Sequence, residues 1–292
     1  MRVLSPTRNQ VGESPLWCAA EQVLYWVDIE AQRLHRYDWT SSEGQAWPMP
    51  ERLACIALHA DGGLLAAMET GIFHLHPQAD GACRVDLLQD ISFARTGMRF
   101  NDGRCDRAGR FWVSSMVRDM SLAARDGALY CYDQRGLSAP LVSGLITGNG
   151  LGLSPDGATL YLSDSHPDVQ QVWTFALAAD GSLSQQRTLI DMQQHPGRPD
   201  GAAVDADGGY WICANDAGMV HRFLPDGTYD RSLTVPVSKP SMCAFGGPSM
   251  EHLFITSITP AQAVPGYERA LDGAVFITKP GVRGLLETPF QP

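Results

Sequence analysis

The sequence predicts an all-β chain folded as a six-bladed β-propeller, four antiparallel strands to a blade, in a single domain spanning residues 1–292. Three observations carry this. A turn signal followed by an apolar, aromatic-rich strand pattern recurs six times. The recurrences come about every 40–50 residues, the length of a blade of four short strands. Helical periodicity of useful length is scarce, whereas period-two alternation bounded by Asp-Gly, Pro-Asp-Gly or Gly-Gly turns runs throughout. A ring also suits a chain this long, because each blade packs only on its neighbours and no single large core is needed.

In order, the repeats begin at Glu21 (EQVLYWVDIEAQRLHRYD), Asp61 (DGGLLAAMETGIFHLH), Ala108 (AGRFWVSSMV), Ser154 (SPDGATLYLSDS), Asp205 (DADGGYWICANDAGMVHRF) and Met250 (MEHLFITSIT). In the fourth, Leu160 and Leu162 fall on one side of a strand and Tyr161 and Ser163 on the other, the pattern of a strand between two packed sheets. Asp156-Gly157 before it supplies the positive φ of a tight hairpin. The stretch from Ala261 to Arg269, with Pro265 and Gly266, reads as a surface excursion inside the last blade. Arg2-Val3-Leu4 has no hairpin partner of its own. It is expected to pair beside Gly273-Ala-Val-Phe-Ile-Thr and so close the ring, since an unpaired edge invites aggregation.

The chain is 44% hydrophobic and 18% charged with 29 glycines, which suits a folded protein rich in tight turns. Its net charge of −10 and the lack of a Lys/Arg run exclude nucleic acid and anionic membranes as expected partners. The N-terminus lacks the apolar core of a signal peptide, and no stretch approaches the ~18 apolar residues of a membrane span. A cytoplasmic protein, monomeric or weakly homo-oligomeric, is expected. Seven cysteines without a CxxC pair read as buried free thiols and not as disulfides or a zinc site. His74 and His76 share one strand face but have no third partner close in sequence. GxSxG, HExxH, GxxxxGK[ST] and a helix-opening GxGxxG are all absent.

Oxygen chemistry remains. Glu13 in Gly-Glu-Ser-Pro-Leu-Trp, Asn149 in Thr-Gly-Asn-Gly-Leu and Asp200 in Arg-Pro-Asp-Gly-Ala-Ala each stand just before the first strand of a blade. In a propeller that strand lines the central channel, so residues far apart in sequence converge at one mouth. Two carboxylates and an amide oxygen form a hard ligand set that suits Ca²⁺, Mg²⁺ or Mn²⁺ and can take Zn²⁺. Read as residues alone they leave an alternative open, since Asn-Gly and Asp-Gly are common turns and Glu13 could be a cap or a solvated side chain.

Five motifs in order, Gly12-Glu-Ser-Pro-Leu-Trp17, Arg99-Phe-Asn-Asp-Gly103, Asn149-Gly-Leu-Gly-Leu-Ser-Pro-Asp-Gly157 with Tyr161-Leu-Ser-Asp-Ser165, Pro199-Asp-Gly-Ala-Ala-Val-Asp-Ala-Asp-Gly208, and Ser238-Lys-Pro-Ser-Met-Cys-Ala-Phe-Gly-Gly247, resemble the signature set of the regucalcin (senescence marker protein)/gluconolactonase family. The resemblance covers essentially the whole chain. It implies a six-bladed propeller that hydrolyses sugar lactones with one divalent cation. Carried over by position, it implies Glu13, Asn149 and Asp200 as metal ligands, Asp200 also as general base, and Arg99 and Asn101 as partners of the sugar hydroxyls. Where the family often has Gly-Thr-Met and then Glu, this chain has Ser114-Ser-Met-Val-Arg-Asp119, so Asp119 is the candidate for that substrate-binding role, with a shorter reach.

A bound cation would polarise the lactone carbonyl and stabilise the oxyanion formed when water adds. Either Asp200 or a cation-bound hydroxide then serves as base, because coordination lowers the basicity of a carboxylate. Three other readings follow from the same residues: a calcium-binding regulator without catalysis, a propeller used as a protein platform, and an esterase or organophosphate hydrolase on the same cation. Arg99 and Asn101 favour the lactonase, since an ion site alone has no use for them.

Overall fold

In the computed structural model, which describes all residues from Met1 to Pro292, the chain forms six antiparallel sheets. The strands are β1 (Arg2–Ser5), β2 (Gly12–Cys18), β3 (Val23–Asp28), β4 (Arg33–Asp38), β5 (Gly44–Pro48), β6 (Leu53–Leu58), β7 (Leu64–Met68), β8 (Gly71–Pro77) and β9 (Cys83–Asp90). There follow β10 (Met98–Cys105), β11 (Phe111–Val117), β12 (Gly127–Asp133), β13 (Gly136–Leu137), β14 (Val142–Leu145), β15 (Gly148–Leu153), β16 (Thr159–Asp164), β17 (Gln171–Leu177) and β18 (Leu183–Asp191). The last are β19 (Arg198–Val204), β20 (Tyr210–Asn215), β21 (Met219–Phe223), β22 (Tyr229–Thr234), β23 (Pro240–Gly246), β24 (His252–Ser257) and β25 (Val275–Thr278). Only three short 3₁₀ turns interrupt them.

Blades one, two, four and five are four-stranded meanders, β2 to β5, β6 to β9, β15 to β18 and β19 to β22. The third differs from four strands to a blade, because its outer edge is split and β13 and β14 both pair with β12. The sixth closes the circle as anticipated: its order is β23, β24, β25, β1, with Arg2 opposite Ile277 and Val3 opposite Phe276. The excursion at 261–269 lies between β24 and β25.

Blades cohere through apolar side chains between facing sheets; Tyr25, Leu34 and Trp47 of the first pack with Ile56, Ala66 and Leu75 of the second. Buried aspartates staple two blades internally. Asp106 accepts from Trp112 Nε1 (2.9 Å) and Arg110 Nε (2.7 Å), and Asp205 accepts from Trp211 Nε1 and Arg222 Nε (2.8 Å each). In both blades the tryptophan follows its aspartate by six residues, and its fully buried indole would otherwise leave an unpaired N–H. Gly157 takes φ +73° in the predicted hairpin turn. All seven cysteines are free and six are buried.

Two features were not anticipated. The third ring missing beside His74 and His76 is His59, which stacks on His74 at 3.8 Å, with His76 a further 3.9 Å from His74. His74 Nε2 bonds to Gly62 O (2.8 Å), and no three His, Cys, Asp or Glu side chains stand at metal-holding spacing, so the trio is packing and not a chelate. The second feature is the tail after β25. It runs along the C-terminal ends of the inner strands, with Gly284 bridged to Asp205, Glu287 paired to Arg104 (2.6 Å), Phe290 bridged to His59, and Gln291 N donating to Gly109 O (3.0 Å).

Deleting Met1–Ser5 should remove three ladder pairs and the burial of Leu4, about 3 kcal/mol together. At roughly 2–4 °C per kcal/mol the melting temperature read by circular dichroism should fall by about 6–12 °C, with aggregation at the bared β25 edge. An unchanged melting temperature would mean that the ring does not need β1.

Candidate functional site

Every inner strand breaks register one to three residues after it begins, between Glu13 and Leu16, Leu53 and Cys55, Phe100 and Gly103, Asn149 and Gly152, Pro199 and Ala202, and Pro240 and Cys243. A bulge leaves residues without partners and twists the strand, which turns side chains toward the axis of the ring. Glu13, Asn149 and Asp200 are therefore members of the first strands β2, β15 and β19, and do not merely precede them. The residues after Glu13 and Asn149 take left-handed conformations, Ser14 at φ 48° and Gly150 at φ 63°. At position 150 only glycine fits, because a Cβ would lie 2.6 Å from Ser163 Oγ and from Tyr210 Oη. Ser14 is held there by its hydroxyl, which accepts from Ile56 N (3.0 Å).

The ends of the second strands steady these positions. Asp28, closing β3, accepts from Gln10 N (2.7 Å) and Val11 N (3.0 Å), directly ahead of Glu13. Asp164, closing β16, accepts from Ile146 N (2.7 Å) and Thr147 N (3.1 Å), directly ahead of Asn149. Asn215 occupies the same place in β20 but acts on the side chain itself: its Nδ2 donates to Asp200 Oδ2 at 2.7 Å. Sequence reading missed all three, although a polar residue ending each apolar second strand was visible in it.

Glu13, Arg99, Asn101, Asn149 and Asp200 line one cavity of about 280 Å³ at the end of the channel where the inner strands begin, with Met116, Met120 and Pro260 among its walls. That size admits a small polar molecule. Asn149 Nδ2 donates to Ser165 Oγ (2.6 Å), which turns Oδ1 to the cavity, where Asn101 Nδ2 meets it at 3.0 Å. Arg99 Nη1 donates to Asn101 Oδ1 (2.7 Å). Asp119 is not brought in. It is exposed, its Oδ1 accepts from Ser121 N (3.1 Å) and Ser121 Oγ (2.5 Å) to cap the 3₁₀ turn Met120–Leu122, and the next residue, Met120, reaches the cavity instead.

Charge at the cavity floor is unbalanced. Burial, with Asp200 and Asp102 beside it, holds the Glu13 carboxyl well above the usual carboxylate range, against a weaker pull from Ser14 N and Arg99. Burial likewise raises Asp200, against its hydrogen bond from Asn215 and the charge of Arg198. Asp102 is raised by burial too; its Oδ2 accepts from Leu151 N (2.7 Å) and its Oδ1 has no partner. Burial also makes Arg99 easier to deprotonate than a free guanidinium. Crowded carboxylates with an amide oxygen at hand match a hard divalent cation. No group of three His, Cys, Asp or Glu side chains has metal-holding spacing, so a cation here needs the oxygen of Asn149.

Both carboxyls titrate higher in the folded chain than in an unfolded one. The stability this lends is complete below the unfolded carboxyl range near ~4 and is lost as pH rises through the raised folded values. A divalent cation competes with those protons. The gain in melting temperature from saturating CaCl₂, read by differential scanning fluorimetry, should therefore be several degrees larger at pH 8 than at pH 5. Equal gains at both would place the ion away from Glu13 and Asp200.

Comparison with known proteins gives a consistent picture. The family model described as SMP-30/Gluconolactonase/LRE-like region matches residues 11–259. A 6-deoxy-6-sulfogluconolactonase from Pseudomonas putida is 36% identical over 282 residues, 96% of this chain and 94% of that protein. An L-arabinolactonase from Azospirillum brasilense is 32% identical over 257 residues, covering 87% and 83%. Among solved structures, a calcium-binding protein, regucalcin, from Agrobacterium tumefaciens superposes with TM-score 0.89 at 26% identity, covering 100% of this chain and 97% of that one.

Proposed function

The chain belongs to the SMP-30/gluconolactonase/LRE-like family and is a sugar lactonase; from that premise we propose that it opens the ester of an aldonolactone at one divalent cation held by Glu13, Asn149 and Asp200 at the channel mouth. The observation that carries this reading is the convergence of these three oxygen donors, from the first, fourth and fifth blades, on the cavity that also receives Arg99 and Asn101 from the third. Relatives named for pentose and hexose lactones support the substrate class.

A cation bound there supplies Lewis acidity to the lactone carbonyl and acidity to water. The side chains do the rest. Asn215 donates to Oδ2 of Asp200, a residue of the cavity lining, and leaves its Oδ1 without a protein donor to take the proton of the attacking water as the new C–O bond forms. Asp200 then returns that proton to the ring oxygen as the ester bond breaks, which yields the sugar acid. Arg99 presents its remaining donors to ring hydroxyls, and Asn101 the second lone pair of an Oδ1 that already accepts from Arg99; a hydroxyl buried without a partner would cost about 1–3 kcal/mol. Met116, Met120 and Pro260 limit entry of bulk water. A calcium buffer or a general esterase would have no use for the Arg99–Asn101 pair.

Exhaustive chelation should abolish hydrolysis of glucono- and arabinonolactone, and restoring Ca²⁺, Mg²⁺, Mn²⁺ or Zn²⁺ in turn should recover it with at least one ion. Asp200→Asn should lower kcat at least ~10²-fold in the metal-loaded, folded protein. Full turnover by metal-free protein, or by the variant, would overturn the reading.

Arg99→Ala and Asn101→Ala should weaken kcat/KM about tenfold or more for sugar lactones but far less for δ-valerolactone, which carries no hydroxyls. Equal losses on both substrates, measured side by side, would assign the pair a structural role only.

A further inference from the structure

Opposite Arg99 the cavity wall carries two more cations, Arg198 at the start of β19 and Lys239 just ahead of β23. One carboxylate serves both. Arg198 Nε lies 2.6 Å from Asp216 Oδ2, Lys239 Nζ donates to Asp216 Oδ1, and neither has another ion-pair partner. Asp216 stands outside the cavity lining with 43% of its side chain exposed, whereas Arg198 and Lys239 line the cavity and are 20% and 25% exposed. Two cations against one carboxylate leave a net positive charge beside the cavity, in a chain whose net charge is −10.

A divalent cation held by Glu13 and Asp200, as proposed above, would balance their charge where the ester is opened, so that step does not call for both of these side chains; the charge of Arg198 does act on Asp200. Arg198 precedes Asp200 by two residues and both line the cavity, so their Cα atoms stand at most about 7 Å apart, with Arg198 at the start of the strand. That is the reach from a lactone carbonyl to the far end of a five- or six-carbon chain.

We propose that Arg198 and Lys239 are specificity residues that bind a fixed anion, a sulfonate, carboxylate or phosphate, on the lactone carbon farthest from the ester. The proposal rests on the lactonase reading above and narrows its substrate to acidic sugar lactones. Lys239 Nζ also lies 3.4 Å from Asn215 Oδ1, so a competing role exists, in which the lysine only steadies Asn215 and through it Asp200. The two roles differ in substrate dependence. Anion binding changes the ratio of kcat/KM between charged and neutral lactones, whereas steadying Asp200 changes kcat for all lactones alike.

The test uses the metal-loaded protein with D-glucono-1,5-lactone, its 6-sulfonate and 6-phosphate analogues, and D-glucarolactone. The wild type should favour at least one charged lactone by tenfold or more in kcat/KM, and the arm with the largest ratio identifies the anion. Lys239→Met and Arg198→Met should each cut that ratio about tenfold, chiefly through KM of the charged substrate. Lys239→Arg should retain it, and 0.5 M NaCl should shrink it. A wild-type ratio near one, or a ratio that the methionine variants leave unmoved, overturns the proposal while leaving the lactonase reading intact. If no lactone is opened, the lactonase reading fails, and calorimetry with gluconate and its 6-sulfonate, 6-phosphate and 6-carboxylate counterparts decides the anion site without turnover. Tighter binding of a charged acid, lost in Lys239→Met, sustains it, and equal binding refutes it.

Discussion

Closure of the ring is the constraint on which the rest of this molecule depends. Glu13, Arg99, Asn149, Asp200 and Lys239 come from five different blades, and no two of those blades are held together by backbone hydrogen bonds within one sheet. Their spacing is set by apolar packing between blades, which could relax outward if the circle were open. Pairing of β1 with β25 joins residues 270 to 275 positions apart in sequence and removes that freedom. The entropy of so large a loop grows only slowly with length, so the fold can defer its closure to the end of the chain.

Within the closed ring the local devices are few and repeated. A bulge in each inner strand aims a side chain at the axis, and a polar residue at the end of the second strand fixes what stands before or beside it. Asp28 and Asp164 do this through backbone N–H groups, Asn215 through the carboxylate of Asp200. The central electrostatics then follow from geometry. Asp102, Glu13 and Asp200 are brought close because three inner strands meet at one mouth, and desolvation raises all three.

How much of this the sequence disclosed can be traced residue by residue. The six repeats mark β3, β7, β11, β16, β20 and β24, the second strand of every blade, because a strand covered on both faces is written in Leu, Trp, Tyr and Ile. The first strands carry the chemistry and were placed only by their turn-like motifs, since Gly12, Gly148, Pro199 and Pro240 break any strand pattern. Glu13, Asn149, Asp200, Arg99 and Asn101 share one cavity as the motif positions suggested. Asp119 does not, because a carboxylate two residues before a serine finds a nearer partner in the turn it begins. His59 beside His74, and the surplus of Arg198 and Lys239 over Asp216, depend on contacts between distant segments and leave no mark in local pattern.

The tail has a consequence for traffic. A propeller channel is in principle a tube with two openings, but residues 283–292 lie across the end remote from the cavity, and the Arg104–Glu287 pair closes over what is left. Against the tail lie two small voids, about 10 Å³ between Met242 and Glu287 and about 20 Å³ between Leu153 and Glu287, each with room for about one water molecule. The channel is therefore a blind well with a single doorway. Whatever leaves must back out past the residues that admitted it, and arrival and departure cannot overlap in time.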